Sequence, residues 1–415
     1  MNVKPFCGLR PRADLAAKIP SLPYDVLDSK EARALAHGDP YTFLHVVKAE
    51  IDLDPSVDPH DARVYAQARE SFRAMREKGW FVRDERPAFY LYRQRMGDHV
   101  QTGVVGAAAV SDYLEGRVKK HEHTRPDKED DRTHHTDAIG AHAGPVFLAY
   151  RGRPAIDALV AEGTRRDPAA EFVSGDGIGH ALWVVDEPSA VARFEEAFRD
   201  VPASYIADGH HRAAAYARVA RMRRERAPKD TGDQPYDRFL AVHFPAAELR
   251  ILDYNRLVRD LNGLEPSGIL RRIEAAGFDL VTPWPGKSPS ESGTFGMYLE
   301  GVWRLLLARL DTLGEKDAVK RLDVSVLQDR ILGPILGVGD PRTDSRIAFC
   351  GGIRGVAELM RRVDSGEHAV AFAMHPTSLT DVMRVADAGA VMPPKSTWFE
   401  PKLRSGLVVH LLGPD

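Results

Sequence analysis

The residues with the clearest chemical potential form one short stretch, Asp208-Gly209-His210-His211-Arg212. An apolar, β-prone run precedes it, and alanine-rich sequence typical of a helix comes after it. Gly209 permits a tight turn, Asp208 can cap the first helical turn, and the new helix presents free backbone N–H groups. Three basic side chains at the positive end of a helix dipole are unfavourable unless an anion lies there. The stretch therefore predicts a phosphate-binding junction between a strand and a helix.

A second cluster, Lys119-Lys120-His121-Glu122-His123, places one carboxylate among cations and histidines. Such surroundings keep Glu122 ionised and able to accept a proton from a hydroxyl. Phosphoryl transfer requires a held donor, neutralised phosphate oxygens and one group that orients or deprotonates the acceptor. Glu122 is therefore the candidate general base. The alternative is that this charged run, which extends to Asp137, is only a solvent-facing loop and helix start.

A third cluster lies near the C-terminal end of the sequence, where Pro393-Pro394 precedes Lys395-Ser396-Thr397 and the aromatic pair Trp398-Phe399. Two prolines fix an extended approach, so the three polar residues arrive on a rigid loop. They could contact a phosphate or the acceptor. The alternative is a proline-stiffened turn with both aromatic rings in the core.

Histidine and aspartate are frequent between residues 121 and 142, which raises the question of a metal site. The candidate ligands are His121, His123, His134, His135, Asp137 and His142. No His-Glu-x-x-His motif occurs, and adjacent histidines on a helix point about 100° apart, so we predict no dedicated transition-metal site. Magnesium held partly by nucleotide phosphates needs only one or two carboxylates, which Asp208, Asp25 or Glu122 could supply.

Composition sets broad limits. The chain has 415 residues, a net charge of −3, 43% hydrophobic and 28% charged residues, which predicts two or three domains and no bias toward nucleic acid or membrane. Only Cys7 and Cys350 occur, so a disulfide framework is not expected. No apolar signal segment or run of about 18 apolar residues is visible. We expect a cytoplasmic protein that binds neither nucleic acid nor membrane.

The elements that position these groups alternate between helix and strand, which predicts an α/β (α+β) fold. Predicted helices include 29–36, 62–75, 268–276 and 378–388; predicted strands include 43–47, 88–94, 100–109, 145–150, 181–185, 238–244, 301–308 and 369–374. The most plausible boundaries lie near residue 100 and in the Pro/Gly/Ser-rich stretch 283–293. We divide the chain into an N-terminal α/β region (1–100), a nucleotide-binding domain (101–265) and a C-terminal α/β domain (266–415).

These motifs resemble a bacterial and archaeal family known as a domain of unknown function, related to ATP- or ADP-dependent free serine kinases of the ParB/sulfiredoxin-like superfamily. The resemblance covers most of the chain. It is carried by Pro23-Tyr24-Asp25-Val26, Phe43-Leu44-His45-Val46, Lys120-His121-Glu122-His123-Thr124 with Lys128 and Arg132, Ala207-Asp208-Gly209-His210-His211-Arg212, Phe295-Gly296-Met297-Tyr298-Leu299 and Pro393-Pro394-Lys395-Ser396-Thr397.

The resemblance implies a ParB/sulfiredoxin-like nucleotide-binding core with additional N-terminal and C-terminal α/β regions, the latter completing the active site. It implies ATP or ADP as donor, with Mg²⁺, and free L-serine as the small hydroxyl amino acid that accepts the phosphoryl group. Ser396 departs from the kinases' Pro-Lys-Thr-Thr block by replacing its first threonine. The implied residues are Glu122, His121 and Asp208 for catalysis; Gly209, His210, His211, Arg212, Lys395, Ser396 and Thr397 for nucleotide and phosphate; and His123, Thr124, Arg132 and Trp398 for substrate.

Other functions fit the same resemblance. ParB relatives can use a nucleotide as a regulatory switch without small-molecule phosphotransfer, and this is the main alternative. A sulfiredoxin-like transfer to an oxidised cysteine lacks a candidate cysteine near Asp208, because Cys7 and Cys350 lie in unrelated contexts. Assembly as a homodimer is compatible with either function.

Overall fold

The computed structural model describes residues 1–227, 229, 232–309 and 316–413, which form a mixed α/β fold as predicted. The strands are β1 (Val3–Lys4), β2 (Leu9–Pro11), β3 (Phe81–Arg83), β4 (Phe89–Met96), β5 (His99–Ala109), β6 (Val118–Lys119), β7 (Ala141–His142), β8 (Val146–Tyr150), β9 (Ala170–Val173), β10 (Gly179–Val185), β11 (Ser204–Asp208), β12 (Arg238–Pro245), β13 (Arg250–Leu252), β14 (Tyr254–Val258), β15 (Phe278–Val281), β16 (Thr294–Leu299), β17 (Val302–Ala308), β18 (Ile347–Gly351), β19 (Val370–Met374), β20 (Trp398–Glu400) and β21 (His410–Leu411).

The α-helices are α1 (Ser29–Ala36), α2 (Leu44–Val47), α3 (Ala62–Glu77), α4 (Val110–Leu114), α5 (Pro126–Ile139), α6 (Pro154–Gly163), α7 (Pro188–Arg199), α8 (His210–Arg226), α9 (Pro266–Ala275), α10 (Asp323–Leu327), α11 (Gly355–Asp364) and α12 (Leu379–Asp387). Short 3₁₀ helices lie at Ala13–Leu15, Ala49–Asp52, Pro235–Asp237, Ala246–Glu248 and Gly352–Arg354, and a π-helical turn lies at Gln328–Leu332.

The chain divides into two compact units, one made of Met1–Leu249 and Pro401–Asp415 and the other of Arg250–Glu400. The three regions predicted from the sequence differ from this division and stay a prediction. Strand β5 runs through the predicted boundary at residue 100, and its residues 99–105 pair with β4. The Pro/Gly/Ser-rich stretch 283–293 is a loop between β15 and β16 inside the second unit, so its composition marks a long connection within one sheet.

The first unit is built on a mixed sheet with the strand order β6-β11-β8-β12-β5-β4-β10-β9, and β1 also pairs with β5. The pairs β6–β11 and β8–β12 are parallel, and the other neighbours are antiparallel. Helix α8 packs on this sheet through small residues, with Ala213 and Ala217 buried beside Leu148 and Ile206. Small side chains let the helix approach closely, which holds its first turn at the end of β11.

A second cluster of buried side chains in the first unit joins the N-terminal helices to α5. Here the predicted strand 43–47 is wrong, because Leu44–Val47 form helix α2. Four of its residues, Phe43, Leu44, Val46 and Val47, are buried in this cluster. Because the run is short and four of its five residues are apolar, periodicity could not distinguish a buried helix from a strand.

Helix α5 carries the charged run for which the sequence allowed two interpretations, a functional segment or a solvent-facing one. Asp131, Thr133, His135 and Thr136 are buried, so this helix is only partly solvated. Its acidic residues pair with arginines of α8, for example Asp137 with Arg226 at 2.7 Å. The charges therefore join two packed helices.

The second unit contains an antiparallel sheet with the strand order β15-β17-β16-β19-β14-β18. Helices α9, α10 and α12 contribute to one cluster of buried side chains on this sheet. Helix α11 contributes to a second, separate cluster. Strands β13 and β20 form a separate antiparallel pair. As predicted, α12 begins after Ser378, whose side chain accepts a hydrogen bond from the backbone N–H of Asp381 at 3.0 Å.

Candidate functional site

The predicted junction between strand and helix is present at the end of β11. Gly209 separates β11 from α8 and has a left-handed φ of +90°. A Cβ atom added to it would lie 3.0 Å from both Cζ and Nε of Arg212. Glycine is therefore needed for conformation and for space. The prediction that Asp208 caps the helix is wrong, because Gly209 occupies the N-cap position and no side chain caps it.

Asp208 instead serves as the counter-ion of two cations. Its Oδ2 atom lies 3.2 Å from a terminal nitrogen of Arg212 and 3.8 Å from Nζ of Lys402. Burial alone would raise the pKa of Asp208, but the charges of Lys402 and Arg212 outweigh it and lower the pKa to about 2. The other terminal nitrogen of Arg212 donates to the carbonyl of Pro145. Asp208 is therefore ionised and fixed in place.

Two buried histidines lie beside this group. The rings of His121 and His210 meet edge to face, with centroids 4.5 Å apart. Burial lowers the pKa of His121 to about 4 and places the pKa of His210 well below its ordinary value. Both rings are thus neutral near pH 7, and each neutral ring carries one N–H donor.

Three buried nitrogens around Asp208 find no hydrogen-bond partner within the described part of the chain. They are Nδ1 of His121, Nε2 of His210 and Nε of Arg212. Leaving a polar group buried and unpaired costs about 1–3 kcal/mol. Their convergence at the first turn of α8 is the property expected of a site that receives the oxygens of an anion.

Glu122 reaches the same place because of the sheet. Strand β6 pairs in parallel with β11, in the register Val118 with Ser204, so both strands end at one edge. The residues after β6 therefore lie next to those after β11. A carboxylate oxygen of Glu122 lies 3.8 Å from Nδ1 of His210, and the Glu122 side chain is 49% exposed. It is close to the anion site and open to solvent.

The remaining predicted residues of the first unit have their own contacts. His211 Nε2 accepts from the backbone N–H of Arg125 at 3.1 Å, and the Thr124 hydroxyl donates to Glu129 at 3.1 Å. His123 is exposed. Arg132 pairs with buried Asp131 through two nitrogens at 2.8 and 2.7 Å, so its charge is already compensated. The structure thus brings His121, Glu122, Asp208, His210 and Arg212 together; the substrate roles of His123, Thr124 and Arg132 stay predictions.

Two further charged residues face this site. Lys402 follows closely after the proline-rich cluster in the sequence, and no spacing rule links it to Asp208. The Gln94 side chain donates to its carbonyl at 2.9 Å, which anchors the backbone there. The second residue is Asp25, from the N-terminal region, whose charge acts on Arg212. Burial would lower the pKa of Arg212, but the charges of Asp25 and Asp208 raise it.

The proline-rich cluster lies in the second unit and is described by its own contacts. Lys395 is exposed and has a left-handed φ of +57°. The Ser396 hydroxyl donates to the carbonyl of Pro393 at 2.6 Å, and Thr397 is half-buried. Trp398 Nε1 donates to Glu400 at 2.8 Å, and the ring is half-buried. Binding of nucleotide or acceptor by Lys395, Ser396, Thr397 and Trp398 stays a prediction.

Within the described residues, no three or more His, Cys, Asp or Glu side chains are arranged to hold a metal ion. None of the helices in the described ranges has the length and apolar character needed to cross a bilayer.

Comparisons with known proteins give one family match. A family model described as "Protein of unknown function (DUF1015)" matches residues 3–325. No curated protein matches the chain.

Several solved structures show distant similarity. A free serine kinase in complex with AMP is 13% identical, with a TM-score of 0.32, over 72% of this chain and 86% of the kinase. A conserved hypothetical protein from Pyrococcus furiosus is 14% identical, with a TM-score of 0.33, over 74% and 95%. SbnI with a C-terminal truncation, from Staphylococcus aureus, is 12% identical, with a TM-score of 0.38, over 75% and 87%. Because these scores are low, the similarity assigns no role to any residue of this chain.

Proposed function

Because this chain belongs to the DUF1015 family, whose description names no activity, we propose its function from the site itself. The protein is a nucleotide-dependent phosphotransferase that moves a phosphoryl group from ATP or ADP to the hydroxyl of a small molecule. Free L-serine, the acceptor implied by the sequence resemblance, is the leading candidate and would give O-phosphoserine. The observation that carries the proposal is the set of unpartnered buried nitrogens of His121, His210 and Arg212 next to Glu122.

Phosphate oxygens are suitable acceptors for Nε2 of His210, if that nitrogen carries the ring proton, and for Nε of Arg212, which is a charged donor. His121 also bonds to the backbone of Ile206, so its neutral ring lines the site beside His210. The first backbone N–H groups of α8 lie at the same end of the helix, and Lys402 adds a second, half-buried cation next to Asp208. Donors and charges that are already in place stabilise the negative charge of a transferring phosphoryl group without reorganisation.

Glu122 would take the proton of the acceptor hydroxyl. The hydroxyl oxygen forms its bond to the terminal phosphorus while the bond to the bridging oxygen breaks, and the nucleotide leaves with one phosphate fewer. The exposed position of Glu122 beside His210 suits this role, because the acceptor must enter from solvent.

Magnesium would enter with the nucleotide and be held mainly by phosphate oxygens. Asp208 is a poor ligand for it, because Arg212 and Lys402 already face this carboxylate. Asp25, which is exposed and whose charge acts on Arg212, is the better candidate. For Lys395, Ser396 and Thr397 of the second unit, phosphate binding is carried over from the sequence resemblance as part of this proposal.

The test is direct. Purified protein is mixed with serine and either ATP or ADP over a range of Mg²⁺ concentrations, and phosphorus NMR follows the appearance of O-phosphoserine. Formation of the product supports the proposal. Nucleotide binding by calorimetry without phosphorylation of serine or another small hydroxyl compound would overturn the enzyme assignment and favour a nucleotide-binding regulatory protein.

A matched pair of variants tests the base. Glu122→Gln should lower kcat by about 10²–10⁴-fold and leave nucleotide affinity unchanged, because the amide cannot accept the proton. Glu115→Gln is the control: this residue lies in the same segment, is exposed and pairs only with Arg117 among its described contacts. Full turnover by the Glu122→Gln variant would exclude Glu122 as the base and leave the phosphate site standing.

A further inference from the structure

Arg404 is a buried cation in the segment 401–405, which belongs to the first unit. One of its terminal nitrogens donates to the Ser174 hydroxyl at 2.9 Å and to Oδ2 of Asp176 at 2.5 Å. Its Nε atom donates to Nε2 of His180 at 3.3 Å. These three partners lie on the hairpin that β9 and β10 form with the turn between them. One side chain therefore ties the segment 401–405 to that hairpin.

The hairpin offers Arg404 a fixed and charged anchor. Burial lowers the pKa of His180 to about 3, so its ring is neutral, and its Nδ1 atom lies 2.8 Å from the hydroxyl oxygen of buried Tyr92. Burial would raise the pKa of Asp176, but hydrogen bonds from Ser174 and Arg404 lower it, so Asp176 is ionised at neutral pH. The contact between Arg404 and Asp176 is therefore an ion pair, in which the arginine side chain is only 5% exposed.

The segment 401–405 also carries Lys402, two residues before Arg404. The Nζ atom of Lys402 lies 3.8 Å from Oδ2 of Asp208, and its side chain is 11% exposed. Its carbonyl accepts a hydrogen bond from the buried Gln94 side chain at 2.9 Å. That bond fixes the backbone at Lys402 itself, and the bonds of Arg404 fix it on the C-terminal side. The direction of the Lys402 ammonium therefore depends on both.

Lys402 contributes to the charge that the candidate anion site offers. The rings of His121 and His210 are neutral near pH 7. Arg212 and Asp208 carry opposite charges and lie 3.2 Å apart, so they largely compensate each other. The ammonium of Lys402 then supplies a further positive charge next to them. An anion gains from this charge only while the ammonium stays beside Asp208, because the interaction of two charges falls with distance.

We propose that Arg404 is a positioning residue, which ties the segment 401–405 to the β9–β10 hairpin and thereby holds the Lys402 ammonium beside Asp208 for a phosphate of the nucleotide. This inference rests on the proposed function, since it takes the anion at this site to be a nucleotide phosphate. A purely structural role, in which Arg404 only satisfies the polar groups of the hairpin, predicts a different result. In that case, the loss of Arg404 would lower stability and leave Lys402 in place.

Chemical labelling follows the position of Lys402 without any ligand or activity. Lysine side chains are acetylated briefly with a low concentration of acetic anhydride, and mass spectrometry gives the rate at each lysine. Lys48 is the internal reference, because its side chain is 13% exposed and forms an ion pair at 2.8 Å. Arg404→Met should raise the rate at Lys402 about 10-fold relative to Lys48, the value of one charge-assisted contact. Arg238→Met, which removes another buried arginine that pairs with an aspartate, should leave this ratio unchanged.

An unchanged rate at Lys402 in folded Arg404→Met, or an equal rise at Lys48, would overturn the inference. If Arg404→Met does not fold, Arg404→Lys replaces it, because lysine keeps the charge but cannot reach three partners with two separate nitrogens. A rise at Lys402 that exceeds the rise at Lys48 then supports positioning. Equal rates in Arg404→Lys and the wild type overturn it.

Calorimetry with ADP tests the phosphate contact through the other member of the ion pair. Asp176→Asn and Lys402→Met should each weaken ADP binding by about 10-fold. The double variant should be no weaker than either single one, because both remove the same contact. Asp186→Asn is the matched control, since both aspartates flank β10, form an ion pair with an arginine and have side chains that are 41% exposed. It should bind ADP normally, and multiplied effects in the double variant would overturn the inference.

Labelling in the presence of ADP separates this inference from the proposed function. ADP should slow the acetylation of Lys402 in the wild type. If Arg404→Met raises the rate at Lys402 but ADP neither binds to the wild type nor slows its labelling, the positioning role stands and the nucleotide assignment fails. If ADP binds with equal affinity to the wild type and to Asp176→Asn, the nucleotide assignment stands and the positioning role is overturned.

Discussion

Replacing Gly209 with alanine tests whether the turn before α8 fixes Arg212. Gly209 has a φ of +90°, and a left-handed conformation costs a residue with a Cβ atom about 1–2 kcal/mol. The new methyl group would also lie 3.0 Å from Cζ and Nε of Arg212, so the guanidinium must shift by a few tenths of an ångström, which disturbs its bonds to Asp208 and Pro145. A hydrogen bond to a charged group contributes about 1.5–3 kcal/mol. We expect the free energy of unfolding of the first unit to fall by more than the conformational cost alone, by up to about 5 kcal/mol.

Gly79→Ala is the matched control. Gly79 also has a positive φ, of +67°, but a Cβ atom there would meet no described residue within 4 Å beyond its chain neighbours. The free energy of unfolding of Gly79→Ala should fall only by the conformational cost of about 1–2 kcal/mol. Urea unfolding gives both values, and calorimetry with ADP should show affinity weakened by about 10-fold or more in Gly209→Ala alone. Equal stability and equal ADP affinity in the two variants would refute the reasoning that the turn fixes Arg212 for anion binding.

Further predictions concern the charges of the first unit. Lys402→Met removes one of the two cations that face Asp208 and should weaken ADP binding by about 10-fold in calorimetry; unchanged affinity would remove Lys402 from the site. The pKa of His121 is about 4 in the folded protein, against an ordinary value of 6.5. As the pH falls, the unfolded chain therefore takes up the proton first, and the free energy of unfolding decreases from about pH 6.5 down to pH 4. Between pH 7 and pH 5 the wild type should therefore lose about 2 kcal/mol more than His121→Asn in urea unfolding, and parallel losses would contradict this. Asp131→Ala leaves Arg132 without its ion-pair partner and should lower the free energy of unfolding by about 3–5 kcal/mol. Asp130→Ala removes a more exposed ion pair and should lower it by less than about 1 kcal/mol. Similar losses in urea unfolding would show that burial does not set the difference.

Local features of this fold could be predicted because their causes are local. Gly97-Asp98 joins β4 to β5, as the glycine between two β-prone runs indicated. The strand, the glycine turn and the alanine-rich helix around Gly209 are set by residues within a few positions of each other. Helix α1 begins after Asp28, whose side chain accepts from the backbone N–H of Glu31 at 2.8 Å, and such capping depends on a four-residue pattern.

Other features depend on partners that are remote in the chain. Glu122 lies beside His210 only because β6 pairs in parallel with β11, and the sequence suggested both residues without showing this pairing. Lys402 lies beside Asp208 although 193 residues separate them in number, and no periodic pattern connects the two. The three regions predicted from the sequence differ from the two compact units for a related reason. Loop composition marks where the chain is irregular, whereas a boundary between units depends on which strands pair across it.

The order of the chain has a consequence for how the protein is made. The second unit, Arg250–Glu400, is inserted between the two pieces of the first unit, so residues after 400 return to pair with its earliest strands. Leu9 pairs with Val409, and His142 with His410, in addition to the contact of Lys402 with Asp208. During translation, the ribosome therefore has to deliver the whole inserted unit before Lys402 exists. The nascent protein cannot assemble the complete candidate anion site until that point, so under the proposed function nucleotide binding would begin only after the inserted unit has been synthesised.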